Sequence, residues 1–465
     1  LKWMVVQPWC PRFTFHSRRK TRRRAVDQGR NCAHRRPTTG CIHLSPRFCR
    51  LVIVVTMRGG LRRLLFQLAS TPDDDLTRRS LPVLHRSLLP VLSFVSSLYG
   101  FSLSIRRNLY RCGLLRKHSL PVPVVSVGNL TWGGNGKTPM TEFLARLFTD
   151  AGISPLILTR GYAGGDEAAM LHRHLSMFPV KLGIGAKRVA VATHFFERYG
   201  YVCYSNILLE KFSSMREHGT YSVKNKIGVT ILDDGMQHLC ILRDLDIVMV
   251  NGMMPWGNGH LLPRGTLREP LEAIQRADVG VIHHADLVSD RELKTIETTM
   301  LNMKGTLPIF FSRLAPSCFL DIQNVRSPLP LRMVEKKVVL CVSSIGFPSA
   351  FSQAVKKMGP LHVDELDFMD HHFLQQDDIE LIRQQLIKLE DKFQMKAVVI
   401  VTEKDYDRDP TILRELHEFQ ILVLCSSLEI MPFAGRTQEN FEERLMKLLH
   451  RKIVDMQCQI LNPIC

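Results

Sequence analysis

The residues with the clearest chemical meaning run from Val124 to Thr138, where the chain reads Val124-Val-Ser-Val-Gly-Asn-Leu-Thr-Trp-Gly-Gly-Asn-Gly-Lys-Thr138. An apolar run enters a Gly-rich loop, and beyond it Met140, Phe143, Leu144, Leu147 and Phe148 share one helical face. In such a loop Gly133, Gly134 and Gly136, with Asn135 among them, let backbone N–H groups approach phosphate oxygens. Lys137 then reaches the β- and γ-phosphates, and the Thr138 hydroxyl can ligate Mg2+. The usual pattern, Gly-x-x-x-x-Gly-Lys-Ser/Thr, asks for glycine where this chain has Thr131. A stray Gly-Lys-Thr is common; the strand before this one and the helix after it give it meaning.

A nucleotide site also needs a carboxylate for the metal. Val229-Thr-Ile-Leu-Asp-Asp-Gly235 supplies Asp233 and Asp234 at the tip of an apolar run, where P-loop proteins keep their metal-side acid. Either Asp is placed to hold Mg2+, directly or through water. Alone, Asp-Asp-Gly is a frequent turn. With the Gly-rich loop it predicts phosphoryl transfer or hydrolysis that uses a nucleoside triphosphate and Mg2+, and residue chemistry alone goes no further.

The elements that must position these groups alternate from about Pro121 onward. Short apolar runs at Val122–Val127, Leu156–Thr159, Val229–Leu232, Ile247–Val250, Val279–His283, Val338–Val342, Val398–Thr402 and Ile421–Leu424 read as strands separated by helical periods, the signature of a parallel α/β sheet. Ile379, Ile382, Leu386 and Leu389 repeat the helical spacing, with Asp377 and Asp378 near that helix start. Around Ser312–Lys337 the periodicity fades and Pro316, Pro328 and Pro330 cluster. The expected architecture is an α/β, P-loop NTPase-like parallel-sheet domain over 121–311, a connection over 312–337, and a second, smaller α/β domain over 338–465.

Ahead of these lie two segments of different character. Residues 1–56 hold 13 Lys and Arg against one acid, Asp27, so most of the formal charge of +18 sits there and the rest of the chain is unexceptional. This speaks against a nucleic-acid partner and for a basic targeting or untranslated-like arm over 1–80, with mitochondrion favoured over plastid. The chain opens on Leu1, and Met57 is a second plausible start. The 12 cysteines form no Cys-x-x-Cys pair and give neither a zinc nor a disulfide framework. Ser87–Ile105 carries no charge and is flanked by Arg86, Arg106 and Arg107, long enough to span a bilayer but rich in serine and interrupted by Pro90 and Gly100. We expect a membrane-associated helical segment over 81–120, lying on or dipping into a membrane surface, with a buried core helix as the alternative.

The chain also resembles the tetraacyldisaccharide 4'-kinase family, most closely its plant, organellar branch. The resemblance rests on Val127-Gly-Asn-Leu-Thr-x-Gly-Gly-Asn-Gly-Lys-Thr-Pro139, Thr159-Arg-Gly-Tyr162, Gly165-Asp-Glu167, Asp233-Asp-Gly-Met-Gln-His238, Arg243-Asp-Leu-Asp246, Gly257-Asn-Gly259, Leu262-Pro-Arg-Gly265 and Leu267-Arg-Glu-Pro270, followed by Asp370-His-His372 and Thr402-Glu-Lys-Asp405. It implies transfer of the γ-phosphate of ATP to the 4'-hydroxyl of a tetra-acylated glucosamine disaccharide 1-phosphate, a lipid A precursor. By the same resemblance Asp166 accepts the hydroxyl proton, His371 supports it from the second domain, and Gln237, His238, Arg268 and Glu269 belong at the site without a defined role. Taken alone, Asp166 is an ordinary turn residue and His371 an ordinary histidine. Two departures touch the acceptor side: the segment between Tyr162 and Gly165 is shorter than in bacterial members and Ala168 replaces a proline, while Asn206–Lys226 reads as an insertion.

Rival readings have distinct signatures. A membrane-associated P-loop ATPase that regulates a partner protein carries a second lysine in its loop, where this chain has Trp132. A small-metabolite kinase needs neither the apolar arm nor a second domain, and a silent interaction protein has no reason to keep Lys137, Thr138, Asp166, Asp233, Asp234 and His371 together.

Overall fold

The computed structural model describes residue 69 and residues 83–161, 165–202 and 225–461, all within the compact unit Gln67–Cys465. Apart from Ala69, the expected basic arm lies outside the described residues, and so does the expected insertion up to residue 224.

The first half of the sheet is built from β1 (Val124–Asn129), β2 (Ser154–Thr159), β3 (Lys181–Ile184), β4 (Ile227–Asp233), β5 (Leu245–Asn251), β6 (Val279–His283) and the long β7 (Ile309–Asp321). The second half holds β8 (Asn324–Leu329), β9 (Val338–Ser343), β10 (His362–Asp367), β11 (Ala397–Thr402) and β12 (Gln420–Met431). They form one 12-stranded sheet in the order β10-β9-β11-β12-β7-β6-β5-β1-β4-β2-β3, with β8 paired to β7. Within each half the path is parallel, and the antiparallel β7–β12 pair joins the halves. Every residue of β1, β2, β4, β6 and β9 is buried, and strands covered on both faces read as mostly apolar runs without polar alternation.

α1 (Val83–Arg111) precedes the sheet, crossovers between strands hold α2 (Lys137–Asp150), α3 (Asp166–Leu175), α4 (Arg188–Tyr199), α5 (Asp290–Met303), α6 (Pro348–Lys356), α7 (Gln376–Phe393), α8 (Glu403–Arg408) and the short α9 (Pro410–Leu413), and α10 (Gln438–Leu461) follows the last strand. α2 buries Met140, Leu144 and Phe148 in the main core, and α7 buries Ile379, Ile382, Leu386 and Leu389, as the spacing predicts. Short crossovers of this kind leave all the parallel-strand tips of the first half at one rim, where α/β folds place their ligands.

Three features depart from the sequence expectation. Residues 312–337 contain the end of β7 and all of β8 instead of a bare connection; Pro316 is tolerated because the β7–β12 ladder is irregular between Cys425 and Ser426, beside its pairing position. α10 does not stay with the second half. Its Phe441, Leu445, Leu449 and Ile453 return to the first core, and the Phe441 ring stands edge-on to Phe143 at 5.9 Å and to Phe310 at 5.1 Å. β3 and β10 were not anticipated, since both are edge strands with half-exposed, mixed patterns.

Within α1, which contains Pro90, several serine hydroxyls are satisfied by carbonyls of the preceding turn, as from Ser93 to Leu89, Ser97 to Ser93 and Ser104 to Gly100, so they need no water. Leu92, Ser96 and Leu103 face the protein, whereas Val91, Phe94, Leu98, Phe101 and Ile105 form an exposed apolar stripe in which both phenylalanines are 66% exposed. By length and composition Leu88–Arg111 is apolar enough to cross a membrane.

Candidate active site

At the end of β1 the chain leaves the sheet through Leu130–Gly136 and enters α2 at Lys137. Gly136 caps the helix at φ 73°, and a Cβ there would stand 2.7 Å from His283 Nε2 at the tip of β6. Only glycine fits that approach. Thr131, where the usual pattern has glycine, is buried and gives its hydroxyl hydrogen to Asn135 Oδ1 (3.1 Å), while the Asn129 amide bonds Thr131 O (2.7 Å). Asn135 in turn donates to Gly133 O (2.8 Å), and Asn251 to Gly134 O (3.1 Å). The extra side chain therefore stiffens the loop from within.

Asp233 ends β4 and Asp234 turns the chain at φ 51°, a left-handed conformation that Asp tolerates. The two carboxylates have different surroundings. Arg268 grips Asp234 with both arms, Nη1 to Oδ1 at 2.8 Å and Nη2 to Oδ2 at 2.7 Å, and Lys137 Nζ lies 4.0 Å from Oδ1. Burial pushes Asp234 up, but the Arg268 and Lys137 charges outweigh it and hold the group well below the usual carboxylate range. Asp233 takes a hydrogen bond from the Thr141 hydroxyl (3.4 Å); burial, then the charges of Glu167 and Asp234, push it above the usual carboxylate range. Arg188, 1% exposed, donates to the main-chain carbonyls of Asp233 and of Asp234, fixing the turn that carries both acids.

The remaining expected residues fall close by. Gln237 Nε2 donates to Asn129 O (2.9 Å), which ties its turn to β1, and Arg268 Nη1 also bonds Asn129 Oδ1 (2.8 Å). His238 is buried with Nε2 3.0 Å from Cys240 Sγ, and burial together with the surrounding Arg188, Arg160, Arg106 and Arg243 lowers it to about 3, so its ring is neutral. Glu269 is taken up by Arg276 (2.7 Å), a structural ion pair. α1 reaches this region too: Tyr99 OH donates to Arg268 O (2.9 Å), Ser96 Oγ to Leu261 O (2.8 Å) and Arg106 Nη2 to Gln237 O (3.1 Å).

Asp166 opens α3 after Gly165, whose φ of 81° turns the chain into the helix. Its Oδ1 accepts the Glu167 amide (2.9 Å); its Oδ2 lies 3.0 Å from His371 Nδ1 and accepts Arg408 Nη2 (2.8 Å) and Nε (3.2 Å). Burial raises this carboxyl, but His371, Lys404 and Arg408 together bring it down to about 2, so it is ionised at neutral pH. The Asp166 side chain is 1% exposed and that of His371 26%, so the histidine is the member open to solvent. The second half of the molecule meets the phosphate loop directly: a Cβ on Gly346 would lie 2.7 Å from Gly134 N and 3.1 Å from Asp370 Oδ2. The structure thus brings together Lys137, Thr138, Asp233, Asp234, Gln237 and Arg268 on the phosphate side, with the Asp166–His371 pair beside them.

The donor set suits Mg2+. Thr138 and the two aspartates offer hard oxygens, and among the described residues there is no group of three or more His, Cys, Asp or Glu side chains disposed to hold a metal by themselves. Mg2+ at nucleotide sites takes one or two protein oxygens and completes its shell with phosphates and water. Arg188, His283 and Arg408 were missed in the sequence, where a lone Arg or His carries no periodic or motif signal; Arg408 lies three residues past Asp405, the end of a recognised motif.

The chain resembles known proteins over most of its length. The sequence profile of the family described as tetraacyldisaccharide-1-P 4'-kinase matches residues 88–450. A relative from Arabidopsis thaliana, named probable tetraacyldisaccharide 4'-kinase, mitochondrial, is 50% identical over 372 residues, covering 80% of this chain and 94% of its own. The tetraacyldisaccharide 4'-kinase of Bdellovibrio bacteriovorus is 32% identical over 357 residues, covering 74% and 94%. Among solved structures, LpxK from Aquifex aeolicus in complex with ATP aligns with a TM-score of 0.51 at 24% identity, over 80% of this chain and all of that one, and shares the fold. With more than half its length matched by one profile, and relatives covered almost end to end, the chain belongs to the tetraacyldisaccharide-1-P 4'-kinase family.

Proposed function

We infer that this family member transfers the γ-phosphate of ATP to the 4'-hydroxyl of a tetra-acylated glucosamine disaccharide 1-phosphate, the step that its relatives' names describe. The observation that carries the reading is the meeting of a phosphate loop with an acceptor-side acid–histidine pair, Asp166 and His371, beside one rim. A hydrolase needs to place only water; a kinase needs a second set of groups for the acceptor.

Backbone N–H groups of Gly133–Gly136 cradle the phosphates, and Lys137 neutralises charge on the group in flight. Thr138 and the Asp233–Asp234 turn would hold Mg2+, which would supply positive charge to offset the charge of the phosphates. In the transfer a bond forms between the sugar oxygen and the γ-phosphorus while the bond to the β-phosphate oxygen breaks, releasing ADP. In a loose transition state the hydroxyl keeps its proton until late. Ionised Asp166 therefore chiefly orients that hydroxyl, then takes its proton, and the more exposed His371 passes it to solvent.

The acyl chains keep the substrate in a lipid surface, and the exposed stripe of α1, flanked by Arg106, Arg107 and Arg111, suits docking on such a surface. The Arg-rich, acid-poor start and the mitochondrial relative favour residence at a mitochondrial membrane. The test measures ADP release from ATP with and without the tetra-acylated disaccharide 1-phosphate in mixed micelles. Lipid-dependent ADP matched by lipid phosphorylation supports the reading; equal ADP release in both mixtures points to a partner-regulating ATPase.

A further inference from the structure

Arg408, outside every motif recognised in the sequence, makes five hydrogen bonds from a side chain that is 3% exposed. Nη2 and Nε reach Asp166 Oδ2 at 2.8 and 3.2 Å, Nη1 reaches Asp405 Oδ1 at 2.8 Å and His372 O at 3.1 Å, and Nη2 also reaches Ser344 O at 3.2 Å. One planar fork thereby joins four acceptor-side pieces: the first residue of α3, the loop after β9 that meets the phosphate loop at Gly346, the turn that presents His371, and α8 itself.

We propose that Arg408 is a positioning residue of the transfer reaction, holding the Asp166 carboxylate oriented toward His371 and the acceptor hydroxyl while it registers the second half of the molecule against the phosphate loop. The proposal rests on the kinase reading above and deepens it. A plain structural rivet accounts for the burial but not for the choice of partner: two of the three nitrogens converge on the one oxygen of Asp166 that also faces His371. A lysine ammonium, a single point charge, cannot keep Asp166, Asp405 and two carbonyls in one plane.

The charge of Asp166 is set by its burial and by His371, Lys404 and Arg408; around them stand Asp370, paired with His371 and Lys404, Glu167, paired with Lys404, and Asp405, paired with Arg408. Arg408 and His371 act by direct bonds and Lys404 by its charge, all lowering the carboxyl, so weakening the fork raises it.

The experiment compares the full chain with Arg408→Lys, using ATP and the tetra-acylated disaccharide 1-phosphate. The expected result is a fall in kcat of about tenfold or more, with affinity for ATP by calorimetry within about twofold and the acid limb of kcat/KM moved to higher pH. An unmoved acid limb and unchanged kcat, with only a lower melting temperature, overturn the proposal. Should the lysine variant lack a cooperative melt, Asp405→Asn keeps the cation and removes one of the carboxylates that orient it. A loss of kcat at unchanged ATP affinity then supports the proposal, and wild-type kcat overturns it. A wild-type chain inert on the lipid sinks the kinase reading itself, and does so before any variant is made.

Discussion

His371 Nδ1 lies 3.0 Å from the Asp166 carboxylate across 205 residues of sequence, one side chain from each half of the sheet. The contact makes the acceptor side a product of the two halves meeting, so residues on it act as a unit. Asp166→Ala is expected to lower kcat for lipid phosphorylation by about a hundredfold or more with little change in ATP affinity, and His371→Ala to lower it less. Steady-state kinetics on both single variants and the double variant check this. The double variant falls by less than the product of the singles; independent, multiplicative losses contradict the shared role.

On the phosphate side, Lys137 Nζ is 4.0 Å from Asp234, which is already gripped by Arg268, so the fold does not depend on the ammonium. Lys137→Ala is expected to keep the wild-type melting temperature within a few degrees, because Asp234 retains its Arg268 partner, and to lose about a hundredfold or more in rate. Near wild-type turnover in that variant removes the phosphate loop from the mechanism.

A pH effect on stability follows from His174 at the far end of α3. Its Nδ1 meets Glu142 of α2 at 2.7 Å and its Nε2 meets Glu403 of α8 at 2.8 Å, so the ring holds a proton on each nitrogen. Burial lowers this histidine, but the two carboxylates win and raise it to about 9 from an ordinary 6.5. A folded value above the unfolded one means the stabilisation is complete below about pH 6.5 and fades as pH climbs toward 9. The melting-temperature gap between wild type and His174→Phe is therefore expected to narrow from pH 6.5 to pH 9, measured at constant ionic strength; a gap that widens over that range contradicts the clasp.

For α1 the exposed stripe gives a direct readout. Phe94→Ser with Phe101→Ser removes two large apolar groups that touch nothing essential in the fold, and is expected to release the protein from anionic vesicles in a flotation assay while activity on a detergent-dispersed substrate persists. Co-flotation equal to wild type assigns the stripe to something other than a lipid surface.

Much of the fold was legible because buried parallel strands such as β1, β4, β6 and β9 leave mostly apolar runs. What escaped has a physical reason. β10 carries His362, Asp364, Glu365 and Asp367 on an open edge, and β7 carries Pro316 at a bulge, so neither shows a clean period. α10 is as amphipathic as any surface helix, and its spacing does not say which half of the sheet it will cover. At the site, Lys137 and Asp233 announced themselves through the strand-and-loop context, whereas Asp166 and His371 were legible only through family resemblance. Arg188 and Arg408 owe their meaning to burial beside carbonyls and carboxylates, which no local pattern encodes.

The central claim is that the phosphate lands on the sugar. Incubation with ATP labelled in the γ-phosphate and a tetra-acylated disaccharide 1-phosphate, followed by mass spectrometry and positional analysis of the lipid, tests it most directly. The expected result is one added phosphate, at the 4' position, formed by the wild type and suppressed in Asp166→Ala. Label recovered only as inorganic phosphate, or a lipid unchanged in mass, contradicts it.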